Sequence, residues 1–332
     1  MTTVRDVAKR AGVSVGTVSR VLSKNETVKQ PLKERVLKAM HDLGYKPNLA
    51  ARALRTSRVE IIGLVVPDIT NPFFAQLAKC IDAEAEKRNH TVMLANSHDD
   101  AQIERNQITA LLNHAPRGVI VVAASDTGQL GYQTVVPIVS LDRRFEHYPL
   151  ISTDHSDGAA QIANHLYDLG HRNIAYIAGP QNTEVGRLRQ RGFLSRIQQL
   201  NSETDPIRLD TYEGQFDYET GESIGRQILS AAIGSRPTAI AAASDQLAIG
   251  VLRAARDLNI DVPTDLSVAG FDDIALASLV VPRLTTIRQP TDLLAKTAVE
   301  HVFSEEAASI ETELNGDLVK RDSTSLPRKV SG

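Results

Sequence analysis

The sequence has 332 residues, 42% hydrophobic and 23% charged with a net charge of −3, which is too long for one small domain and fits a small module joined to a large two-lobed one. A single cysteine, Cys80, excludes an internal disulfide or a cysteine metal cage and reads as a small buried filler in a helix. The longest apolar runs, such as residues 61–66, are strand-length and the start Met1-Thr2-Thr3-Val4-Arg5-Asp6 has no apolar signal core, so a cytoplasmic, nucleoid-associated protein is expected.

Charge is unevenly spread. Residues 1–58 hold thirteen Lys/Arg against four Asp/Glu, a net of +9, and the remainder carries −12. A basic head on an acidic body concentrates phosphate attraction at one end.

Within that head, Val4, Val7, Ala8 and Ala11 form one apolar stripe at helical spacing, and Val18, Val21 and Leu22 form a second. Between them Ala11-Gly12-Val13 reads as a turn, and Ser14 can cap the second helix with its hydroxyl. Two short helices joined by a Gly-containing turn make a helix-turn-helix, whose second helix enters the DNA major groove. Pro31 suits a first helical turn, and Leu32, Val36, Leu37, Met40 and Leu43 predict a third amphipathic helix ended by Gly44. Pro47 breaks that helix, Asn48 can cap another, and residues 49–55 have strong helical propensity. Seven residues are too few to hold a helix without a partner surface, so this stretch is expected to be a hinge, frayed alone and helical on DNA.

From Glu60 onward the texture is α/β. Buried strands are predicted at 61–66, 91–95, 119–123 and 138–141, with helices at 73–88 and 101–114. The pattern restarts with a helix at 158–169, a strand at 174–178, helices at 189–200 and 218–229, a strand at 239–243, a helix at 247–258 and a strand at 266–270. Two such sets predict two doubly wound parallel-sheet lobes, with ligand sites beyond the carboxyl ends of the strands.

Head and body together resemble the LacI/GalR family of bacterial transcription regulators over essentially the whole chain. The likeness rests on Val4-Arg5-Asp6-Val7-Ala8, Gly12-Val13-Ser14, Thr17-Val18-Ser19-Arg20, Gly44-Tyr45-Lys46-Pro47-Asn48 and a hinge ending in Leu54. In the body it rests on residues 68–74, Gly170-His171-Arg172, Ser244-Asp245, Gly270-Phe271-Asp272-Asp273 and residues 284–290. The resemblance implies a helix-turn-helix domain at 1–46, a hinge helix at 47–58 and an effector-binding, dimerising core at 59–332 that is periplasmic-binding-protein-like. That core divides into one lobe of about 59–154 and 290–317 and another of about 155–289 and 318–332.

It further implies a homodimer on double-stranded operator DNA, with Val15, Gly16, Thr17, Arg20, Asn48 and Arg55 at DNA-contacting positions and Leu54 as a wedge between bases. Arg20 can bond bidentately to guanine, whereas Val15 offers only a methyl contact and Gly16 only close approach. The implied effector pocket holds Asn71, Phe73, Phe74, Asp142, Arg143, Arg189, Phe216, Ser244, Asp272 and Gln289. Carboxylates, amides and guanidinium groups join adjacent hydroxyls, and phenyl rings cover the apolar faces of a sugar ring. The set looks most like a ribose pattern, with Ser244 as its departure. Other sugars, sugar phosphates and purines remain alternatives, as do a surface ion pair for Asp142-Arg143, core packing for Phe73 and Phe74, and a helix cap for Asp272. Asp245 reads as the cap of its helix.

No enzyme constellation emerges. Gly12-Val13-Ser14-Val15-Gly16 spells a nucleophile elbow but lacks the preceding strand. There is no phosphate loop, dinucleotide fingerprint or paired-His metal motif, so no cofactor or metal is expected. A transport protein would share the body but not the basic head. Without a C-terminal leucine heptad tail, a dimer is predicted.

Overall fold

The computed structural model describes residues 4–22, 28–43, 60–304 and 311–328, and the chain separates into two compact units, Met1–Val59 and Glu60–Gly332. The first contains α1 (Val4–Ala11), α2 (Val15–Leu22) and α3 (Gln30–Asp42). Val7, Ala8, Ala11, Val18, Val21, Val36 and Ala39 bury themselves in one small core. Gly12 takes a positive φ of +62° in the turn, which a side chain would strain. Arg35 reaches from α3 to the end of α1 and donates to the Ala11 carbonyl at 2.6 Å and to that of Gly12 at 3.2 Å, so a cation neutralises the free carbonyls there. Ser14 caps α2 as expected, its hydroxyl accepting from Thr17 N–H. Leu37 departs from expectation: it is exposed, because Val36 and Ala39 already take the inward positions of that helix. The hinge at 47–58 and the helix end at Gly44 lie outside the described residues.

The second unit is built on two six-stranded sheets. The first runs in the order β11-β5-β4-β3-β1-β2, from β1 (Ile61–Val66), β2 (Thr91–Asn96), β3 (Gly118–Val121), β4 (Ile138–Leu141), β5 (Leu150–Thr153) and β11 (Thr312–Leu314). Every pair in it is parallel. The second runs β12-β10-β9-β8-β6-β7, from β6 (Asn173–Ala178), β7 (Arg208–Glu213), β8 (Ala239–Ala242), β9 (Ser267–Asp272), β10 (Thr285–Arg288) and β12 (Asp317–Val319), with only β12 antiparallel. The two doubly wound lobes predicted from the alternation are therefore present. Fully apolar stretches such as Ile62–Val66 are buried because helices cover both sheet faces.

The helices are α4 (Pro72–Glu86), α5 (Ala101–Leu112), α6 (His155–Asp168), α7 (Glu184–Leu200), α8 (Tyr218–Leu229), α9 (Asp245–Asp257) and α10 (Thr291–Phe303). Side-chain oxygens cap six of them: Asn71, Asp100, Asp154, Thr183, Asp217 and Ser244 each accept a first-turn N–H. Here the structure corrects two expectations. Ser244, not Asp245, caps α9, while the buried Asp245 carboxylate accepts from Thr286 Oγ1 and from the Ile274 N–H at 2.9 Å. Cys80 is half-buried, and its thiol donates to Asp292 at 3.1 Å.

In both sheets the order reverses beside the first strand, between β1 and β3 and between β6 and β8. Connections on either side of such a point leave to opposite faces and open a crevice at the strand ends.

Candidate functional site

A cavity of about 270 Å³ lies at both reversal points. Asp68, Asn71 and Phe74 enter it after β1, Asp99 after β2, Ala124 after β3, and Arg143 after β4. From the second sheet come Pro180, Asn182 and Thr183 after β6, and Gln215, Phe216 and Asp217 after β7. Phe216 packs its ring over Gly179, where an added Cβ would sit 2.2 Å from the ring, so glycine is what allows the aromatic to lie there. Of the ten pocket residues expected from sequence, Asn71, Phe74, Arg143 and Phe216 line this cavity. Asn71 also caps α4, accepting from Phe73 N–H at 3.0 Å.

Asp142, Arg189, Asp272 and Gln289 form a buried polar network. Arg189, only 3% exposed, is held from several sides: it donates to the Ala243 carbonyl at 2.7 Å, pairs with Asp272 at 2.9 Å and lies 3.9 Å above the Phe271 ring. Asp272, with φ +117° at the end of β9, accepts from Gln289 at 2.8 Å, and Gln289 in turn accepts from Thr153 Oγ1 at 2.7 Å. This chain of bonds runs from the second sheet to β5 of the first. Burial raises the Asp272 carboxyl above its ordinary value against the pull of Arg189. Asp142 differs: burial pushes it upward too, but His155, Arg189 and Arg143 outweigh that and hold it low.

His155 was not anticipated from sequence. It opens α6, receives the Arg189 Nε–H on Nδ1 at 3.3 Å, and places Nε2 at 3.2 Å from Asp142 Oδ1, an ion-pair distance without hydrogen-bond alignment. The unrecognised strand β5 ends just before it, which is the signal that could have exposed it. Phe73 and Ser244 go elsewhere: Phe73 is in the core, edge-on to Phe74 with centroids 5.4 Å apart, and Ser244 is the α9 cap. The lining residues missed from sequence sit directly after strands or cap helices, as Thr183 and Asp217 do.

One edge of the cleft is bridged. Asp126, in the loop after β3, accepts from Glu184 N–H at 2.9 Å and pairs with Arg187 at 2.6 Å, both on α7.

In the head, Val15 is 42% exposed, Gly16 and Arg20 are exposed, and Thr17 is half-buried with its hydroxyl 2.9 Å from that of Ser14. Arg20 Nε donates back to the Gly16 carbonyl at 3.4 Å, so these positions share one outer face of α2. Asn48, Leu54 and Arg55 lie outside the described residues. Among the described residues no His, Cys, Asp or Glu group suits a metal ion, and no helix is long and apolar enough to cross a membrane.

A helix-turn-helix head carried on the same chain as a two-sheet body with a cleft at its reversal points defines a DNA-binding transcription regulator. Residues 3–48 match the bacterial regulatory proteins of the lacI family, and residues 163–324 match the periplasmic binding protein-like domain. The chain is 36% identical to the ribose operon repressor of Halalkalibacterium halodurans, covering 87% of this chain and 86% of that one. A lac repressor dimer bound to operator and the anti-inducer ONPF superposes with a TM-score of 0.81 at 29% identity, over 98% of this chain and 99% of the other. A LacI family regulator from Enterococcus faecium with bound ribose gives 0.68 at 26% identity, over 81% and 100%. The chain belongs to the lacI family of bacterial regulatory proteins.

Proposed function

We propose that the chain is a cytoplasmic, nucleoid-associated repressor that grips a pseudo-palindromic operator as a homodimer, and that ribose or a related small sugar in the cleft releases it. The observation that carries the effector half is the cavity at both reversal points, where Phe74 and Phe216 offer flat apolar faces among amides, carboxylates and Arg143. The likeness to a ribose operon repressor and to a ribose-bound regulator supports ribose as the first choice.

In this reading Val15, Gly16, Thr17 and Arg20 face the major groove, with Arg20 the main base reader and Asn48, Leu54 and Arg55 acting from the hinge. Asn71, Phe73, Phe74, Asp142, Arg143, Arg189, Phe216, Ser244, Asp272 and Gln289 serve the effector, Phe73 by backing Phe74 and Ser244 by fixing α9. The head is 1–46, the hinge 47–58 and the core 59–332, with lobes of about 59–154 plus 290–317 and 155–289 plus 318–332. Closure on the sugar moves one lobe against the other and parts the paired hinges.

A thermal-shift titration tests this. Ribose at a hundred times its dissociation constant is expected to stabilise the protein by about 2.7 kcal/mol, or roughly 5–10 °C, and to lower operator affinity. A protein that no pentose or hexose stabilises would overturn the reading; stabilisation by a purine alone would move the effector to a nucleobase.

A further inference from the structure

We propose that the cleft selects uncharged polyhydroxylated ligands and turns away their phosphate esters, with Asp99 and Asp217 as the residues that set this preference. The inference rests on the cleft being the sugar site. It starts from the charges around the cavity. Asp68, Asp99 and Asp217 line it and Arg143 is the one cation among the lining residues. That cation is already drawn toward carboxylates, with Asp99 at 3.7 Å and Asp142 next to it in the chain. Guanidinium groups nearby are committed too, Arg189 to Asp272 at 2.9 Å and Arg187 to Asp126 at 2.6 Å. A phosphate dianion brought here meets more negative than positive charge, in a partly desolvated site where such repulsion is strong.

An opposing effect has to be weighed. The helices α4, α7 and α8 begin at this cavity, and helix N-termini attract anions. Each of those ends is already partly satisfied by a capping side chain. Asn71 accepts the Phe73 N–H at 3.0 Å, Thr183 the Gly186 N–H at 3.2 Å, and Asp217 the Thr220 N–H at 2.6 Å. The Glu184 N–H is likewise taken, by Asp126 at 2.9 Å. At α8 the capping group is itself a carboxylate, so the positive end of the helix is neutralised before any ligand arrives. The capped helix ends therefore offer an anion a reduced attraction, least at α8, to set against the excess of carboxylates.

Hydrogen-bond bookkeeping points the same way. Ionised carboxylates only accept, and the amides of Asn182 and Gln215 both donate and accept. Sugar hydroxyls can donate to the first and exchange with the second, whereas an ionised phosphate brings acceptors alone.

The test is calorimetric titration of the full-length protein with ribose, ribose 5-phosphate, glucose and glucose 6-phosphate. The better-bound sugar should exceed its own phosphate on the order of a hundredfold at low salt, and the gap should narrow as salt is raised. Asp99→Asn with Asp217→Asn, in which asparagine keeps the α8 cap, should raise affinity for the phosphate about tenfold or more and that for the parent sugar less. A phosphate that binds the unaltered protein as tightly as its parent sugar, or a salt-independent gap, would overturn the proposal while leaving the sugar site standing. If none of the four binds, the sugar reading itself fails and the charge selection falls with it.

Discussion

Arg189 is the residue on which both stability and binding are expected to turn, because Asp272 is buried beside it and has no other cation within bonding distance among the described pairs. Arg189→Ala should cost about 3–5 kcal/mol in denaturant unfolding, since it strands a buried carboxylate, and should abolish effector binding; Arg189→Lys should keep part of the stability but lose the fork that joins Ala243 to Asp272. Two other buried groups give opposite pH signatures. His171 bonds Thr238, Ser267 and the Ser325 carbonyl, and burial pushes it down to about 4 from its ordinary 6.5. The unfolded chain then binds the extra proton first, so this contribution is complete above about pH 6.5 and is lost as pH falls toward 4. Glu104 accepts the Ala124 N–H with one oxygen and buries the other unpartnered, and burial lifts it to about 7 from 4.5. Its native form holds the proton longer, so stability is lost as pH rises from about 4.5 to 7. Glu104→Gln should therefore stabilise the protein at pH 8 by up to about 3 kcal/mol and flatten that limb of the Tm–pH curve; an unchanged curve would remove the assignment. In sequence Arg189 could be separated from Arg187 and Arg191 by its spacing to Gly192-Phe193, and of the three it alone is buried. Glu104 gave no such cue, because its partner Ala124 comes from a strand end elsewhere in the chain, whereas His155 follows directly on the four-residue strand β5 that the sequence pattern does not reveal.

Elements were legible in proportion to how much of their pattern is local. The buried strands β1, β4 and β6 announce themselves as apolar runs, and α2 by its cap and stripe. The strand β7, Arg-Leu-Asp-Thr-Tyr-Glu, is a sheet edge with no fully buried residue, and its pairing to β6 supplies what its composition lacks. The three-residue strands β11 and β12 exist only because β5 and β10 offer them a free edge. The start of α7 was placed five residues late because its true boundary is set by Thr183, whose hydroxyl accepts the Gly186 N–H at 3.2 Å. Thr183→Ala should cost about 1 kcal/mol by chemical denaturation and loosen the helix that carries Arg189, weakening the effector more than global stability alone would explain.

At the scale of the molecule, a charge of +9 on residues 1–58 against −12 on the remainder favours DNA contact through the head, and binding should weaken steeply as salt rises. Leu54→Ala is expected to reduce operator affinity and bending together, measured by gel shift with circularly permuted sites; unchanged bending would dismiss the wedge. The two-lobed plan was readable because strand and helix texture repeats twice along the chain. The cleft was only half readable, since its lining is set by which strand ends the two sheet orders bring face to face. That facing arrangement also has a kinetic side, through Asp126 and its grip on the first turn of α7. A small molecule that comes or goes by that edge must wait for a carboxylate and a guanidinium to separate. A half-exposed pair of this kind is worth about 0.2–1 kcal/mol, so Asp126→Asn should speed both arrival and departure by no more than about fivefold in stopped-flow traces. The bridge would thus tune how quickly transcription answers a passing pulse of nutrient, and leave the threshold concentration nearly where it was.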